Sequence, residues 1–446
     1  MCGSAKLPCS GRGACPRGSP GRKRSRPSRG RRRPKGGSGG GDGGGVPQCE
    51  RVLPGPSSHL RLAQEVAPPT PKGKRGRRAW KRCSSRSSPV FTSTTAAQLD
   101  PQGFLSGLQG RVVLDEVQRA PGLFLPLKAL VDRDRRPGRF LLTGSANVLA
   151  LPRAAEHLVG RMALFTLWPL SQGELEGRKE GFLSALFAEE VPPVQGEGRW
   201  PLERLLRGGY PEAVRLPPER RGAWFRDYLA TVLAREVREL SQVERLGELP
   251  RLYALLATRP AQLLNWAELS RASSLPATTL KRYFALLEAL YLVRTLPPWQ
   301  ANLGKRLTKS PKVLPTDPGL ALHAAGLDGA RLEGDPILLG KYLEAFVAME
   351  VVKQAGYAGV AVEVFHYRSH SGEEVDLVLE GPGGKVVGVE VKARGSLRPE
   401  DLRGLKSLAQ ALGPRFHRGV VLYLGRETVP FAKDLYALPL EALWRL

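Results

Sequence analysis

The feature that most limits what this chain can fold into is a change of composition near residue 96. Glycine, proline and serine supply 17, 12 and 13 of residues 1–95, which also hold 22 Lys and Arg against three acidic residues. Such a segment buries too little apolar surface to offset chain entropy, so the sequence predicts a basic, disordered, low-complexity segment over residues 1–95. Residues 96–446 carry the patterned apolar sequence, and at ~150 residues per domain the whole chain has room for about three domains.

Three interpretations of residues 1–95 stay open. The segment holds Arg31–Arg33, a glycine tract at Gly36–Gly45 and a basic run at Lys72–Arg78. A basic arm that neutralises nucleic-acid phosphates is one interpretation, and a solvated tail is another. We favour a third, a frameshift in a GC-rich gene, because out-of-frame translation of such a gene yields Arg, Gly, Pro, Ser and Cys.

Cysteine usage and hydropathy exclude several classes of protein. All five cysteines lie in residues 1–95, so the rest of the chain has no disulfide framework and no Cys-ligated zinc site. His366, His370 and His417 lack metal-ligand spacing and are interpreted as solvated loop residues. No stretch approaches the ~20 apolar residues of a membrane-spanning helix. We expect a soluble, cytoplasmic protein without a membrane partner, and the sequence leaves its oligomeric state open.

A strand–helix–strand pattern predicts an α/β domain over residues 96–190. Residues 111–116 and 139–145 form apolar runs typical of buried strands, and residues 121–131 have the 3.6-residue period of an amphipathic helix. Two strands joined through a helix favour a parallel sheet. Ligands bind such sheets at the carboxyl ends of the strands, so the residues that end these strands are candidate site residues.

Four polar residues end the two strands. Asp115 and Glu116 end the first strand, and Thr143 and Ser145 end the second. One carboxylate can hold Mg²⁺, and the next can polarise an attacking water. We therefore expect Asp115 at the metal, Glu116 at the water, and Thr143 or Ser145 beside a γ-phosphate.

The ordered motifs of this region resemble a prokaryotic family of AAA-type ATPases. The matching motifs are Leu114–Pro121, Leu142–Ser145, Gly160-Arg161 and Pro169–Glu174. Family members couple a P-loop ATPase domain to a C-terminal domain of uncharacterised function, and the resemblance covers residues 98–446. It implies ATP and Mg²⁺ as cofactors and Asp115 and Glu116 as the Walker B pair. Arg161 is then a phosphate-facing arginine or, alternatively, a surface residue at the start of a strand.

The chain departs from that family at the phosphate loop. ATP binding needs a Gly-rich loop, G-x-x-x-x-G-K-[ST], and no such run occurs in the sequence. The resemblance places the loop before the Walker B strand, inside residues 1–95. We therefore expect a truncated, poorly stable P-loop ATPase sheet that does not hydrolyse ATP. Nucleotide becomes a predicted partner only if the loop is restored.

Residues 200–330 predict a helical region that contains a winged helix. The predicted elements are helices at 224–240, 249–257, 265–270 and 276–290 and a strand at 291–296. A short helix, a turn, a second helix and a strand is the order of a helix-turn-helix with a wing. The basic and hydroxyl residues that suit DNA are Thr278, Thr279, Lys281 and Arg282, with Lys305, Arg306, Lys309 and Lys312 downstream. The alternatives are contact with DNA and a domain that packs only against its neighbours.

The pattern of residues 335–446 predicts a mixed α/β domain with one group of candidate metal-binding and catalytic side chains. Glu390 and Lys392 share one face of a predicted strand at 385–392, because residues two apart in a strand point the same way. If the strand at 374–380 pairs antiparallel with it, Asp376 meets them. Two carboxylates can hold Mg²⁺, which activates water, and the lysine stabilises developing charge.

This spacing resembles the PD-(D/E)XK nuclease superfamily. Glu344, on a predicted helix at 340–354, matches the helix glutamate, and Val375 stands where the motif has proline. The resemblance implies a restriction-endonuclease-like α/β fold with Asp376 and Glu390 as metal ligands. A salt-bridged sheet edge, or a nuclease fold kept for binding alone, is the alternative interpretation.

Three functions therefore remain open for the chain. The first is an AAA-type ATP-binding protein with a nuclease-like C-terminal domain, whose ATP hydrolysis is lost. The second is a Mg²⁺-dependent nuclease, or a nuclease-like protein that binds DNA. The third is a non-catalytic interaction protein.

Overall fold

The computed structural model describes residues 62–64, 90–145, 156–199, 201–240, 247–300, 309–369 and 371–446, which all lie in one compact unit, Ser58–Leu446. Its α-helices are α1 (Val90–Leu99), α2 (Pro101–Ser106), α3 (Phe124–Arg133), α4 (Gln172–Glu176), α5 (Phe182–Phe187), α6 (Leu202–Arg207), α7 (Pro211–Arg215), α8 (Pro218–Leu240), α9 (Glu248–Ala257), α10 (Trp266–Ser273), α11 (Ala277–Ala289), α12 (Pro318–Ala324), α13 (Gly329–Glu333), α14 (Pro336–Ala355), α15 (Arg403–Leu412) and α16 (Ala442–Arg445). Its strands are β1 (Leu62–Gln64), β2 (Val112–Leu114), β3 (Phe140–Leu142), β4 (Gln262–Leu263), β5 (Val293–Leu296), β6 (Lys312–Pro315), β7 (Glu363–Arg368), β8 (Glu374–Glu380), β9 (Val386–Lys392), β10 (Phe416–Tyr423), β11 (Val429–Ala432) and β12 (Leu435–Pro439).

The first sheet combines a parallel pair with one antiparallel strand. β2 and β3 run parallel with Val113 opposite Leu141, and α3 lies between them in the chain, as the strand–helix–strand pattern predicts. β1 pairs antiparallel with the other edge of β2.

Two elements differ from the predicted boundary at residue 96, since α1 crosses it and β1 lies well before it. A free strand edge offers unpaired N–H and C=O groups, which any backbone can satisfy whatever its side chains. The interpretations of the remainder of residues 1–89 lie outside the described residues.

The middle region alternates helices with three short strands. In chain order it contains α9, β4, α10, α11, β5 and β6, and the strands form an antiparallel sheet in the order β4-β6-β5. Asn265 caps the N-terminus of α10, and its side chain accepts from the Glu268 N–H. One face of α11 is core, with Leu280 and Leu287 fully buried. The period of 3.6 residues therefore leaves the opposite face of α11 exposed.

The C-terminal domain is a six-stranded mixed sheet between two helices. Its strand order is β11-β12-β10-β9-β8-β7, with β7, β8 and β9 antiparallel and β9, β10 and β12 parallel. Alternate residues of β8 enter different cores. Leu377 belongs to the core that contains Leu343 of α14, and Val378 belongs to the core that contains Leu405 of α15. The sheet is therefore covered on both faces, and its strands are almost continuously apolar.

Helix α14 also anchors a segment that precedes the middle region. Glu350 is 1% exposed and accepts from the Gln172 N–H at 2.7 Å. Lys353 donates to Glu350 at 2.7 Å and to the Leu170 carbonyl at 3.1 Å. Burial raises the pKa of Glu350, and the Lys353 ammonium opposes that rise. These bonds fix the Leu170–Gln172 backbone to the helix that supports the C-terminal sheet.

The described helices can be compared with a membrane-spanning helix in length and hydropathy. Within the described ranges, none combines the length and the apolar character needed to cross a membrane.

Candidate functional site

The C-terminal domain brings together all four residues that the sequence assigns to its site. Glu344 lies on α14, Asp376 on β8, and Glu390 and Lys392 on β9. The antiparallel register pairs Leu377 with Val389, so Asp376 and Glu390 occupy the next positions along the two strands. The conditional expectation that β8 pairs antiparallel with β9 is therefore met, and Asp376 reaches the Glu390 face.

Hydrogen bonds hold the two strand carboxylates in place. Asp376 Oδ2 accepts from the Val391 N–H at 2.9 Å, and Lys392 Nζ donates to Glu390 Oε2 at 2.9 Å. Glu390 is 4% exposed. Burial raises the pKa of Glu390 well above its usual value, the Asp376 carboxylate raises it further, and Lys392 opposes the rise.

Two further lysines hold the helix carboxylate. Lys312 Nζ lies 2.5 Å from Glu344 Oε1 and 3.9 Å from Asp376 Oδ1, and Lys341 Nζ lies 2.7 Å from Glu344 Oε2. Burial raises the pKa of Glu344 and Asp376 adds to the rise, whereas the two lysines oppose it. Sequence reasoning missed Lys312 at this site, because β6 belongs to a different region of the chain.

The cluster opens into a cavity of about 570 Å³. Glu344, Asp376, Glu390 and Lys392 line it, together with Arg403 and Gly404 at the start of α15. Gly404 makes this geometry possible, because a Cβ there would lie 2.0 Å from the Glu374 carbonyl oxygen and 2.9 Å from Glu390 Oε1. The cavity combines acidic and basic side chains, as a site for a phosphate and a cation requires.

The donor set suits Mg²⁺ that also binds a substrate, rather than a metal caged by the protein. Within the described ranges, no group of three or more His, Cys, Asp and Glu side chains is arranged to hold a metal ion. Asp376 and Glu390 nevertheless face each other as a pair at the cavity wall. Mg²⁺ is commonly held by one or two carboxylates, with waters and phosphate oxygens completing its octahedron. The two carboxylates fit that mode of binding.

The first sheet carries a second acidic group, at the ends of β2 and β3. Thr143 Oγ1 donates to Asp115 Oδ1, and Ser145 Oγ donates to Glu116 Oε2 at 3.2 Å. Glu116 has a φ of 55°, in the left-handed region that non-glycine residues rarely adopt. The four residues that the sequence predicts at this edge therefore lie together.

Two partners of Glu116 were not found from the sequence. Gln118 Nε2 donates to Glu116 Oε2 at 2.5 Å, and Arg235 of α8 donates to Glu116 Oε1 at 3.1 Å. Arg161 lies elsewhere, since its guanidinium makes two bonds to Asp132, at 2.8 and 2.9 Å. Among the described residues its other polar partner is the Val159 carbonyl, so the expected phosphate-facing role finds no support in its contacts. A bidentate carboxylate is the strongest local partner for an arginine.

The predicted basic face of the middle region is only partly as expected. Thr278, Lys281 and Arg282 on α11 are exposed, and Thr279 is half-buried. Lys312 is 4% exposed and bonded to Glu344, so its predicted place among DNA-facing residues is wrong. Lys305 and Arg306 lie outside the described residues.

The histidine interpretation also needs correction. His366 lies in β7 and is 2% exposed, and His417 lies in β10, so neither is a solvated loop residue. Both strands belong to the covered sheet, and their positions on it could not be read from an isolated histidine. His370 lies outside the described residues.

Comparison with known families divides the chain into three matched parts. An AAA domain matches residues 87–176, a domain of unknown function (DUF8612) matches residues 200–331, and a second domain of unknown function (DUF4143) matches residues 339–443. The Asp115–Glu116 group lies in the first part. Asp376, Glu390 and Lys392 lie in the third part, whereas Lys312 lies in the second.

Two curated mycobacterial proteins are similar to most of the chain. They are the uncharacterized proteins Mb2031c of Mycobacterium bovis and Rv2008c of Mycobacterium tuberculosis. Each is 32% identical over 346 residues, which cover 77% of this chain and 71% of the relative. No solved structure matches the chain. The chain therefore belongs to the family of these proteins, an AAA-type, ATPase-like family.

Proposed function

We propose that this member of an AAA-type, ATPase-like family acts on DNA through its C-terminal domain, as a Mg²⁺-dependent nuclease. One observation carries the proposal. Glu344, Asp376, Glu390 and Lys392, which the sequence assigns to a single site from three separate segments, converge on the wall of one cavity. A sheet that uses its charges only for solubility has no need to bury Glu344 and Glu390 in contact with lysines, with Asp376 half-buried beside them.

Each side chain has a stated part in the proposed reaction. Asp376 and Glu390 would hold Mg²⁺, which when bound supplies Lewis acidity toward a phosphodiester and lowers the pKa of water. Lys392, whose side chain is 27% exposed, remains accessible from the cavity while Glu390 positions its ammonium. There it donates to a phosphate oxygen and stabilises the charge that develops on it. Arg403 lies at the same cavity and would orient the phosphate through its planar donors.

The middle region supports DNA as the substrate. Its order of helix, strand, helix, helix, strand and strand, with the sheet order β4-β6-β5, is compatible with a winged helix. In that fold α11 would be the recognition helix, and its exposed face carries Thr278, Lys281 and Arg282. These donors suit phosphate oxygens and base edges.

ATP hydrolysis has no part in the proposed reaction. The sequence contains no G-x-x-x-x-G-K-[ST] run. The Glu116 carboxylate already accepts hydrogen bonds from the side chains of Gln118, Ser145 and Arg235. Without loop amides and the loop lysine, the β- and γ-phosphates lack their usual ligands. The AAA-matched part would then serve as a structural or interaction module.

The experiment is Mg²⁺-dependent nicking of supercoiled plasmid DNA by the full chain. Asp376→Asn and Lys392→Met should each lower the nicking rate by at least about 100-fold, since each removes a group that acts on the reacting phosphate. Glu363→Gln, which changes an exposed carboxylate of β7 in the same sheet, is the matched control and should leave the rate unchanged. Nicking that survives both site substitutions at the wild-type rate would refute the proposal.

A further inference from the structure

We infer that Lys312 is an internal cation that occupies the carboxylate cluster in place of a divalent metal, so that Lys312 and the metal compete for the same site. The inference rests on the proposed function, since Lys312 pairs with Asp376, one of the two proposed metal ligands. It goes further in assigning a second region of the chain, the sheet of β4, β5 and β6, as the part that controls metal affinity.

The geometry of Lys312 is that of a bound cation. Its Nζ lies between two carboxylates, 2.5 Å from Glu344 and 3.9 Å from Asp376, and its side chain is 4% exposed. Lysine is almost never buried unless it is paired, because transfer of an ammonium out of water is costly. Here one partner, Asp376, is a ligand of the proposed metal site, and the other, Glu344, lines the same cavity.

The charges of the cluster balance without a metal. When all three are ionised, Glu344, Asp376 and Glu390 supply three negative charges, and the ammonium groups of Lys312, Lys341 and Lys392 supply three positive charges. A divalent ion added to this neutral, largely buried group would leave an excess of two positive charges. Loss of one buried ammonium removes part of that repulsion and also frees an oxygen of Glu344.

Lys312 is the lysine best placed for this competition. Lys341 and Lys392 have side chains 35% and 27% exposed, so water screens their charges, whereas Lys312 is enclosed. Lys312 is also the one of the three that belongs to β6, outside the segment that forms the C-terminal sheet. A shift of β6 relative to α14 would therefore withdraw the cation and open the cluster to metal.

The test is a titration of the metal-free full chain with Mn²⁺, a spectroscopically visible substitute for Mg²⁺, with free Mn²⁺ measured by electron paramagnetic resonance. Lys312→Met and Lys312→Gln should each bind Mn²⁺ at least tenfold more tightly than the wild type, about a 1.4 kcal/mol change by the standard conversion. Lys406→Met, which removes an exposed lysine of α15, is the matched control and should bind as the wild type does. Adding Asp376→Asn to Lys312→Met should abolish the gain.

The outcomes separate this inference from the proposed function. A folded Lys312→Met or Lys312→Gln chain that binds Mn²⁺ no more tightly than the wild type overturns the competition. If the wild type then binds Mn²⁺ and Asp376→Asn does not, the proposed metal site stands while the role of Lys312 fails. If no variant binds Mn²⁺, both fail.

A measurement on the wild type covers the case in which the neutral variants do not fold. Acetylation of Lys312 by acetic anhydride, followed by mass spectrometry, should be slow in the metal-free chain because the ammonium is enclosed. Saturating Mn²⁺ should accelerate it, since the metal takes Asp376, one of the two carboxylates that hold the lysine. A rate unchanged by Mn²⁺ would contradict the competition.

Discussion

The two acidic groups of this protein use the same residue types in opposite surroundings. Asp376 and Glu390 lie on long strands in the middle of a six-stranded sheet that is covered on both faces. Asp115 and Glu116 follow a three-residue strand in a three-stranded sheet. Lysines surround the first pair, whereas hydroxyl, amide and guanidinium groups contact the second.

The two regions also differ in how many large apolar side chains they leave exposed. In the AAA-matched region, Leu141 is 55% exposed in the middle of β3, and Phe165 and Leu167 are 83% and 98% exposed. In the C-terminal sheet, Leu377 and Val389 are fully buried. Carboxylates enclosed by a core feel a lower dielectric than carboxylates near exposed surface, so the charges of the C-terminal group interact more strongly with one another. This contrast leads to four predictions.

Gly404→Ala should give the largest loss of stability. The new Cβ would lie 2.0 Å from the Glu374 carbonyl oxygen, a backbone atom that can move only if β8 moves. We expect a loss of about 3 kcal/mol in the free energy of unfolding, measured by urea denaturation.

Gly340→Ala is the control for that substitution. Gly340 lies in α14 at the same cavity, and its Cβ would meet nothing within 4 Å. Alanine should raise stability there by about 0.5 kcal/mol, because glycine is a poor helix former. Equal changes in the free energy of unfolding at the two glycines would contradict the conclusion that Gly404 is crowded and Gly340 is not.

Protonation of His366 should make the C-terminal domain sensitive to acid. Burial, with Lys312 as a further cause, lowers the pKa of His366 from 6.5 to about 3. The unfolded chain therefore takes up the proton first, so stability is complete above pH 6.5 and falls as the pH drops towards 3. Between pH 7 and pH 5 the loss should be about 2 kcal/mol.

His366→Gln isolates this contribution from that of other titrating groups. The variant is expected to lose about 2 kcal/mol less than the wild type between pH 7 and pH 5, in urea denaturation at each pH. Parallel stability curves for the two proteins would show that His366 is not held neutral by the fold.

Arg235→Ala should have a smaller effect, on the Glu116 group of the AAA-matched region. The substitution removes the 3.1 Å contact between Arg235 of α8 and Glu116. The Arg235 side chain is 26% exposed and the Glu116 side chain is 19% exposed. Ion pairs that water can reach contribute little, so we expect a loss of about 1 kcal/mol. Arg226→Ala, on the exposed surface of the same helix, should change nothing measurable. A loss of several kcal/mol at Arg235 would mean that the Asp115–Glu116 group is as enclosed as the C-terminal cluster.

Mg²⁺-ATP should have the smallest effect of all. A ligand that binds the native state must raise its melting temperature, and the sequence contains no G-x-x-x-x-G-K-[ST] run. Millimolar Mg²⁺-ATP should therefore shift the melting temperature by less than about 1 °C. A rise of several degrees that Asp115→Asn abolishes would give the AAA-matched region a nucleotide site of its own.

Local periodicity was enough to predict much of the C-terminal site. The i, i+2 rule placed Glu390 and Lys392 on one face, and an antiparallel neighbour was the remaining condition for Asp376 to join them. Strands β11 and β12 were not predicted, since both are short and β11 contains a proline.

The partners contributed by distant segments could not be predicted. Lys312 has the sequence context of a surface lysine, and its burial depends on how β6 packs beside α14. Arg161 follows a glycine in a motif that resembles a phosphate contact, yet Asp132 takes its guanidinium. In both cases the deciding factor is which opposite charge the fold brings nearest, and periodicity carries no information about that.

The central claim is that this chain acts through its C-terminal carboxylates without ATP. The most direct measurement compares Mg²⁺-dependent plasmid nicking by the wild type, Asp115→Asn and Asp376→Asn, each with and without ATP. We predict that ATP and Asp115→Asn leave the rate unchanged and that Asp376→Asn abolishes it. Nicking that requires ATP, or that is lost with Asp115 and kept without the Asp376 carboxylate, would contradict the account.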